Sequence, residues 1–204
     1  MKYDDSYQQL SSFSKGLYKD KGSKFVAYCF PVKNEEDVKQ RLAEVKKEEY
    51  AARHHCYAYI LHPDQSTQRD NDDGEPSNTA GKPILGQILS RNLTNTLVIV
   101  VRYFGGIKLG INGLINAYRV AASNALDNGK TKLCYIKDMY SVYFKYSEMN
   151  QVMRLVKEHE LEVIRQDFKL ECTLTFCVRK SQSEKIQSIF ALNHLVKLKY
   201  IKKI

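Results

Sequence analysis

Two stretches hold most of the residues whose type and spacing could do chemistry. The first, RDNDDGEPSNTAGKP at residues 69–83, sets Asp72, Asp73 and Glu75 around Gly74, with Pro76, Thr79, Gly81 and Lys82 following. The second, RYFGGIKLGINGL at residues 102–114, sets Arg102 and Lys108 among Gly105, Gly106, Gly110 and Gly113. Clustered carboxylates have three uses: they accept from nearby amides at a turn or helix start, hold a hard cation such as Mg²⁺ or Ca²⁺, or work as an acid/base pair. The turn-and-cap use ranks first here. The alternating acids and distant Glu of an EF-hand are missing, and Ser77 or Thr79 stands with the acids just ahead of a helix start. No metal site is assigned and no cofactor is expected.

The glycine-rich stretch offers a different chemistry. A strand ending near residues 102–104 feeds a turn and then a helix, whose first amides and positive dipole end receive an anion, with Lys108 and Arg102 adding charge. Ile111 and Asn112 stand where a Walker motif needs Lys and Ser/Thr, and the dinucleotide fingerprint is also missing, so classical ATP or NAD binding is disfavoured. The competing reading is that these glycines only permit tight strand-to-helix packing. Farther along, Asn116, Arg119 and Ser123 recur at spacings of three and four as a polar rim. The expected anion or nucleic-acid site is thus Arg102, Gly105, Gly106, Lys108, Gly110, Gly113 and Arg119. Both loops should share one end of a sheet, letting Asp72, Asp73 or Glu75 pair with Arg102, Lys108 or Arg119. His54 and Cys56 share a strand face but stand roughly 6–7 Å apart at Cβ, with no orienting third group, so no catalytic residue is assigned.

These motifs need elements to position them. GLYKDKGSKFVAYCFPV reads as a hairpin around KDKGSK, followed by a helix from Glu35 to about Tyr50 that Asn34 caps. HHCYAYIL is a strand, residues 82–90 a short helix, and NTLVIVVRYF a buried central strand on its unbroken aliphatic run. A helix carrying Leu114, Tyr118, Ala121, Ala122 and Ala125 on one face ends near Asn128 and Gly129. After Thr131 the pattern becomes strand 138–146, helix 149–160, strand 161–168, strand 169–179, helix 183–192 and strand 195–204. This βαββαβ order is that of ferredoxin-like domains. The expected class is therefore α+β, with domains at residues 1–130 and 131–204.

Composition narrows the setting. The 204 residues are 43% apolar and 27% charged, as in an ordinary globular protein. The polar start MKYDDSYQQL carries no secretory signal and no apolar run approaches the length of a membrane span, so a cytoplasmic protein without membrane association is expected. Five cysteines without a C-x-x-C pair point to reduced thiols. The net charge of +9 leans towards the C-terminal third, where residues 131–204 carry 14 Lys+Arg against 8 Asp+Glu. Such a field attracts phosphate backbones.

DDGEPSNTAGKP followed by VIVVRYFGGIKLGINGLINAY closely resembles the signature of the YigZ/IMPACT family, and the likeness extends over essentially the whole chain. The resemblance implies an N-terminal mixed-sheet domain like the second domain of a small-subunit ribosomal protein. It also implies a C-terminal ferredoxin-like domain similar to those of elongation factor G. Eukaryotic relatives look like translation regulators of the amino-acid starvation response, acting largely through an extra N-terminal domain with no counterpart in this sequence. For bacterial members the family implies no assigned reaction. Asn78 and Asn112 stand where the family has Gly, which suits Asn's tolerance of positive φ, and Asn116 stands where Arg is common. The leading functional expectation is a non-enzymatic, translation-associated module that binds RNA or a ribosomal surface. The alternatives are a hydrolase or transferase acting on a phosphorylated or peptide substrate at the DDGE/Gly-rich cleft, and a protein-binding regulator. The oligomeric state is left open.

Overall fold

The computed structural model describes residues 5–169 and 171–204 and divides the chain into two units, Tyr7–Cys134 and Tyr135–Ile204, the second joined by Asp5 and Ser6. Leu170, within the expected strand 169–179, and residues 1–4 lie outside the described residues. The protein is a mixed assembly of helices and sheets.

In the N-terminal unit β1 (Ser6–Leu10) is followed by β2 (Ser14–Asp20), β3 (Ser23–Pro31), α1 (Glu35–Glu48), β4 (His54–Leu61), β5 (Thr67–Asn71), α2 (Gly81–Ser90), β6 (Thr96–Tyr103), α3 (Gly110–Asp127) and β7 (Thr131–Tyr135). The β2–β3 hairpin turns on Lys21 and Gly22, both at positive φ, as a two-residue turn matching strand twist requires. Asn34 Oδ1 accepts from the Asp37 amide at 2.9 Å, and Asp37 accepts from the Lys33 amide at 2.8 Å, so α1 starts where its cap lies. Five antiparallel strands pair in the order β2-β3-β6-β4-β5. The aliphatic run of β6 sits in the middle and is covered on both faces. Val98 and Val100 join Phe25, Ala27, Cys56 and Ala58 beneath α2 and α3, while Leu97, Ile99 and Val101 join Val26, Tyr28 and Leu61 against α1.

Three strands were not expected from the sequence. β5 is TQRDN, a polar edge strand without apolar alternation, and it takes Arg69–Asn71 out of the expected acidic loop. β1 and β7 pair as a separate two-stranded sheet.

In the C-terminal unit β8 (Lys137–Lys145), α4 (Met149–Glu158), β9 (Glu162–Phe168), β10 (Glu171–Arg179), α5 (Ser183–Ala191) and β11 (Lys197–Lys203) follow one another. The antiparallel sheet has the order β11-β8-β10-β9, the split βαβ arrangement. Alternation sends Tyr140, Val142, Phe144, Leu174 and Phe176 towards the helices, where Val152, Val156, Ile186 and Phe190 meet them. Ser141, Tyr143, Thr175, Lys197 and Lys199 occupy register positions on the other face.

Asp5 is tied into this unit. It is almost wholly buried and accepts from Arg179 Nη2 at 2.6 Å and from the Ser181 amide at 2.9 Å. Burial opposes its ionisation, but the Arg179 and Ser181 bonds outweigh it and bring the carboxyl down to about 2. A depressed carboxylate stabilises the fold above its ordinary value of 3.8, and that stabilisation is lost as pH falls through about 2. Urea unfolding of the wild type and Asp5→Asn should therefore differ by about 2 kcal/mol at pH 5, with the difference shrinking steadily as the pH is lowered towards 2. A difference that does not change with pH would contradict this.

Candidate functional site

The two motifs meet at one end of the five-stranded sheet. His54 opens β4 opposite Arg102 near the end of β6, and the chain leaving β5 turns over both. Asp73 (φ 40) and Gly74 (φ 85) make this turn. The Asp73 carboxylate accepts from the His55 amide at 2.7 Å, and its carbonyl binds His54 Nδ1 at 2.8 Å.

Asp72 works as a remote helix cap. Its carboxylate accepts from the amides of Asn78, Ala80 and Gly81 at 2.7, 2.9 and 2.8 Å. Burial opposes ionisation, but the three amides hold the carboxyl below the usual carboxylate range. The expected side-chain caps, Ser77 and Thr79, do not form. The cap position falls to Ala80, and Thr79 Oγ1 instead donates to the Pro76 carbonyl at 2.7 Å. Asn78 is at φ 64, so an asparagine occupies a left-handed position in this turn. Asn112 needs no such conformation, because it lies inside α3 without positive φ. Gly81 packs on the end of β5, where a Cβ would stand 2.7 Å from the Asn71 amide, and Lys82 is exposed.

Glu75 is the buried member of the acidic cluster. Its Oε1 accepts from Arg102 Nη1 at 2.6 Å and from the Tyr118 hydroxyl at 2.8 Å. The Arg102 and Glu75 side chains are only 9% and 4% exposed. Strand alternation explains the meeting: Arg102 shares a face with Val98 and Val100, so it points beneath α3, from which Tyr118 descends. Its guanidinium lies 5.6 and 5.5 Å from the rings of Phe25 and Phe104. Cys56 extends the network, 3.4 Å from the Tyr118 hydroxyl and 3.0 Å from the Asp72 carbonyl. Burial pushes its thiol up to about 12. Such a thiol is a poor nucleophile.

Of the expected acid–base pairs, only Glu75–Arg102 forms. Asp73 lies instead 3.9 Å from Lys46, and neither Lys108 nor Arg119 makes a salt bridge among the described residues. Both side chains are exposed, and Arg119 donates to Asn116 at 2.8 Å. Ser123 is drawn away from the expected rim by Arg91 and Asp127. The glycine-rich loop itself runs from Phe104 to the start of α3, with Gly106 and Gly110 at φ 90 and 71. Leu109 precedes α3 without a side-chain cap bond, so the amides of Gly110 and its successors have no side-chain cap. Gly113 packs on the Leu109 Cβ. Tyr118, placed on the apolar face of its helix by sequence periodicity, turns out to be the hydroxyl that joins both motifs. Its burial was a usable signal, since a buried Tyr hydroxyl needs a partner.

These features define a two-unit α+β protein whose two signature motifs are locked together by a buried ion pair at one sheet end. The Impact N-terminal domain model matches residues 21–126, and the chain belongs to the IMPACT family. It is 32% identical to an IMPACT family member of Haemophilus influenzae over 82% of each chain. Against IMPACT family member YigZ of Escherichia coli it is 33% identical over 73% of this chain and 74% of the relative. Against YvyE of Bacillus subtilis it is 42% identical, but the match spans 52% of this chain and only 49% of that relative. A crystal structure of a hypothetical protein superimposes with a TM-score of 0.73 at 26% identity, covering 98% of this chain and 99% of the other.

Proposed function

We propose that this chain is a non-enzymatic, translation-associated regulator that binds RNA or a ribosomal surface through the glycine-rich loop and through its basic C-terminal unit. The observation that carries the reading is the contrast between spent acids and free bases. Asp72, Asp73 and Glu75 are engaged by backbone amides, Arg102 and Tyr118, while Lys108 stands exposed just ahead of the uncapped start of α3 and Arg119 stands exposed farther along that helix. Positive charge next to free amides suits phosphate. In the C-terminal unit Lys145, Lys197 and Lys199 line a depression of about 460 Å³ together with Tyr143 and one acid, Glu171, a predominance of base beside a ring that suits single-stranded RNA. The reading carries with it the likeness of the N-terminal unit to the second domain of a small-subunit ribosomal protein, and of the C-terminal unit to elongation factor G domains. It also carries the division at residues 1–130 and 131–204 and a cytoplasmic setting. Among the described residues no helix is long and apolar enough to cross a membrane.

The test is the salt dependence of binding to a fluorescent single-stranded RNA. With about four phosphate contacts, affinity should fall roughly fifty-fold between 50 and 200 mM salt. Absence of binding at the lower salt, or binding indifferent to salt, would sink the proposal.

A further inference from the structure

Arg102 is incompletely satisfied. Its one hydrogen bond among the described residues runs from Nη1 to Glu75, and Nε is buried without any acceptor. A buried donor left unpaired is destabilising, and such groups are uncommon unless a ligand or ordered water serves them. The Nε–Nη2 edge is the side of a guanidinium that grips two oxygens of one oxyanion. Arg102 borders a depression of about 360 Å³ whose other walls are Ala51, Arg53, His54, Tyr103 and Phe104.

The chemistry of these walls selects the ligand. Arg53 is exposed and has no salt bridge among the described residues, so its charge is available. Glu75 already compensates Arg102, but Nη2 takes no part in that bond and, unlike Nε, is not buried, so it is the donor that an oxyanion in the depression meets. Two guanidiniums suit the several oxygens of a phosphate better than the two of a carboxylate, which one guanidinium edge would satisfy alone. The His54 ring is fixed by the Asp73 carbonyl at Nδ1, leaving Nε2 as an acceptor for the proton of a hydrogen phosphate. Phe104 is 57% exposed and adjoins Arg102, offering a face on which a base can stack. The depression is also far larger than a bare phosphate needs.

We infer that this depression is a phosphomonoester site, with the phosphate held by Arg102 and Arg53 and its attached base stacked on Phe104. It is separate from the amides at the start of α3, and it does not require the RNA reading. The phosphomonoester comes either from a free nucleotide or from the phosphorylated 5′ end of an RNA.

Calorimetric titration with inorganic phosphate and with adenosine monophosphate tests the site, using wild type, Arg53→Gln and Phe104→Ala. Both replaced side chains are exposed, and unchanged melting temperatures serve as the folding control. Saturable binding of both probes is expected. Arg53→Gln should weaken both about tenfold, whereas Phe104→Ala should weaken the nucleotide and spare inorganic phosphate. No saturable phosphate binding, indifference to Arg53→Gln, or equally effective competition by acetate would overturn the proposal. Anisotropy with 5′-phosphorylated and 5′-hydroxyl uridine decamers then separates the sources. Tighter binding of the phosphorylated decamer assigns the RNA end, and equal binding with nucleotide binding intact assigns the free nucleotide. Loss of all decamer binding with phosphate binding intact would defeat the RNA reading and leave this site standing.

Discussion

Replacing Glu75 by Ala should destabilise the N-terminal unit by about 3–5 kcal/mol, because it strands a charged Arg102 in the core. The carboxylate is the one hydrogen-bond partner of Arg102 among the described residues and also receives the Tyr118 hydroxyl. Truncation leaves a guanidinium that is 9% exposed with no counter-charge, and a buried phenol without its acceptor. The melting temperature should drop by on the order of 10 °C. If uncompensated charge is the cause, removing both charges should cost much less. Glu75→Leu combined with Arg102→Met should recover most of the lost stability, since apolar replacement of a whole buried pair is often neutral. A single variant within about 1 kcal/mol of wild type would show that water or a neighbouring side chain compensates Arg102.

The second large effect is expected at Gly105. A Cβ there would sit 1.9 Å from the carbonyl carbon of Gly22 and 2.2 Å from its oxygen, closer than atoms approach without bonding. The obstacle is backbone on both sides, the glycine-rich loop against the β2–β3 turn, so neither can yield by rotating a side chain. Gly105→Ala should cost about 3 kcal/mol or more and displace the loop from the end of β6. Gly86 is the control, because it lies within α2 with no atom within 4 Å of the added Cβ. Gly86→Ala should stabilise by about 0.5–1 kcal/mol. Thermal melts of the two variants should move in opposite directions. A Gly105→Ala protein that melts like wild type would mean that the close packing is dispensable.

The elements that position the site were largely visible in the sequence, for reasons that differ along the chain. The run from Leu97 to Val101 could only be a covered strand, and Asn34 with Asp37 announced the start of α1. In the C-terminal unit, alternation in the strands and helical spacing between them were both strong enough to show the βαββαβ order. β5 was invisible because a polar edge strand buries almost nothing, and its identity comes from pairing with β4. Side-chain partnerships were harder to read. The sequence offered Ser77 or Thr79 together with the acids as caps for α2, and the capping falls to an acid, Asp72, which reaches forward to three amides because the turn at Asn78 folds the chain back on it. The expectation that an acid of the first motif pairs with a base of the second holds for Glu75 and Arg102, but which of the acids and bases would meet is decided by the strand register and the descent of Tyr118 from α3. Arg53 carried no motif signal, and Phe104 stood in the glycine-rich motif without a role assigned to it. Their relation to Arg102 exists only in the folded sheet end.

Whether the protein binds ribosomal particles through its glycine-rich end is measured by co-sedimentation with purified particles, comparing wild type with Lys108→Ala/Arg119→Ala at low and raised salt. Both lysine and arginine are exposed, so the variant should retain the wild-type melting temperature. Wild type should pellet with the particles at low salt and be released at higher salt, and the variant should pellet at least several-fold less. Wild type that stays in the supernatant at low salt, or a folded variant that pellets as fully as wild type, would contradict this.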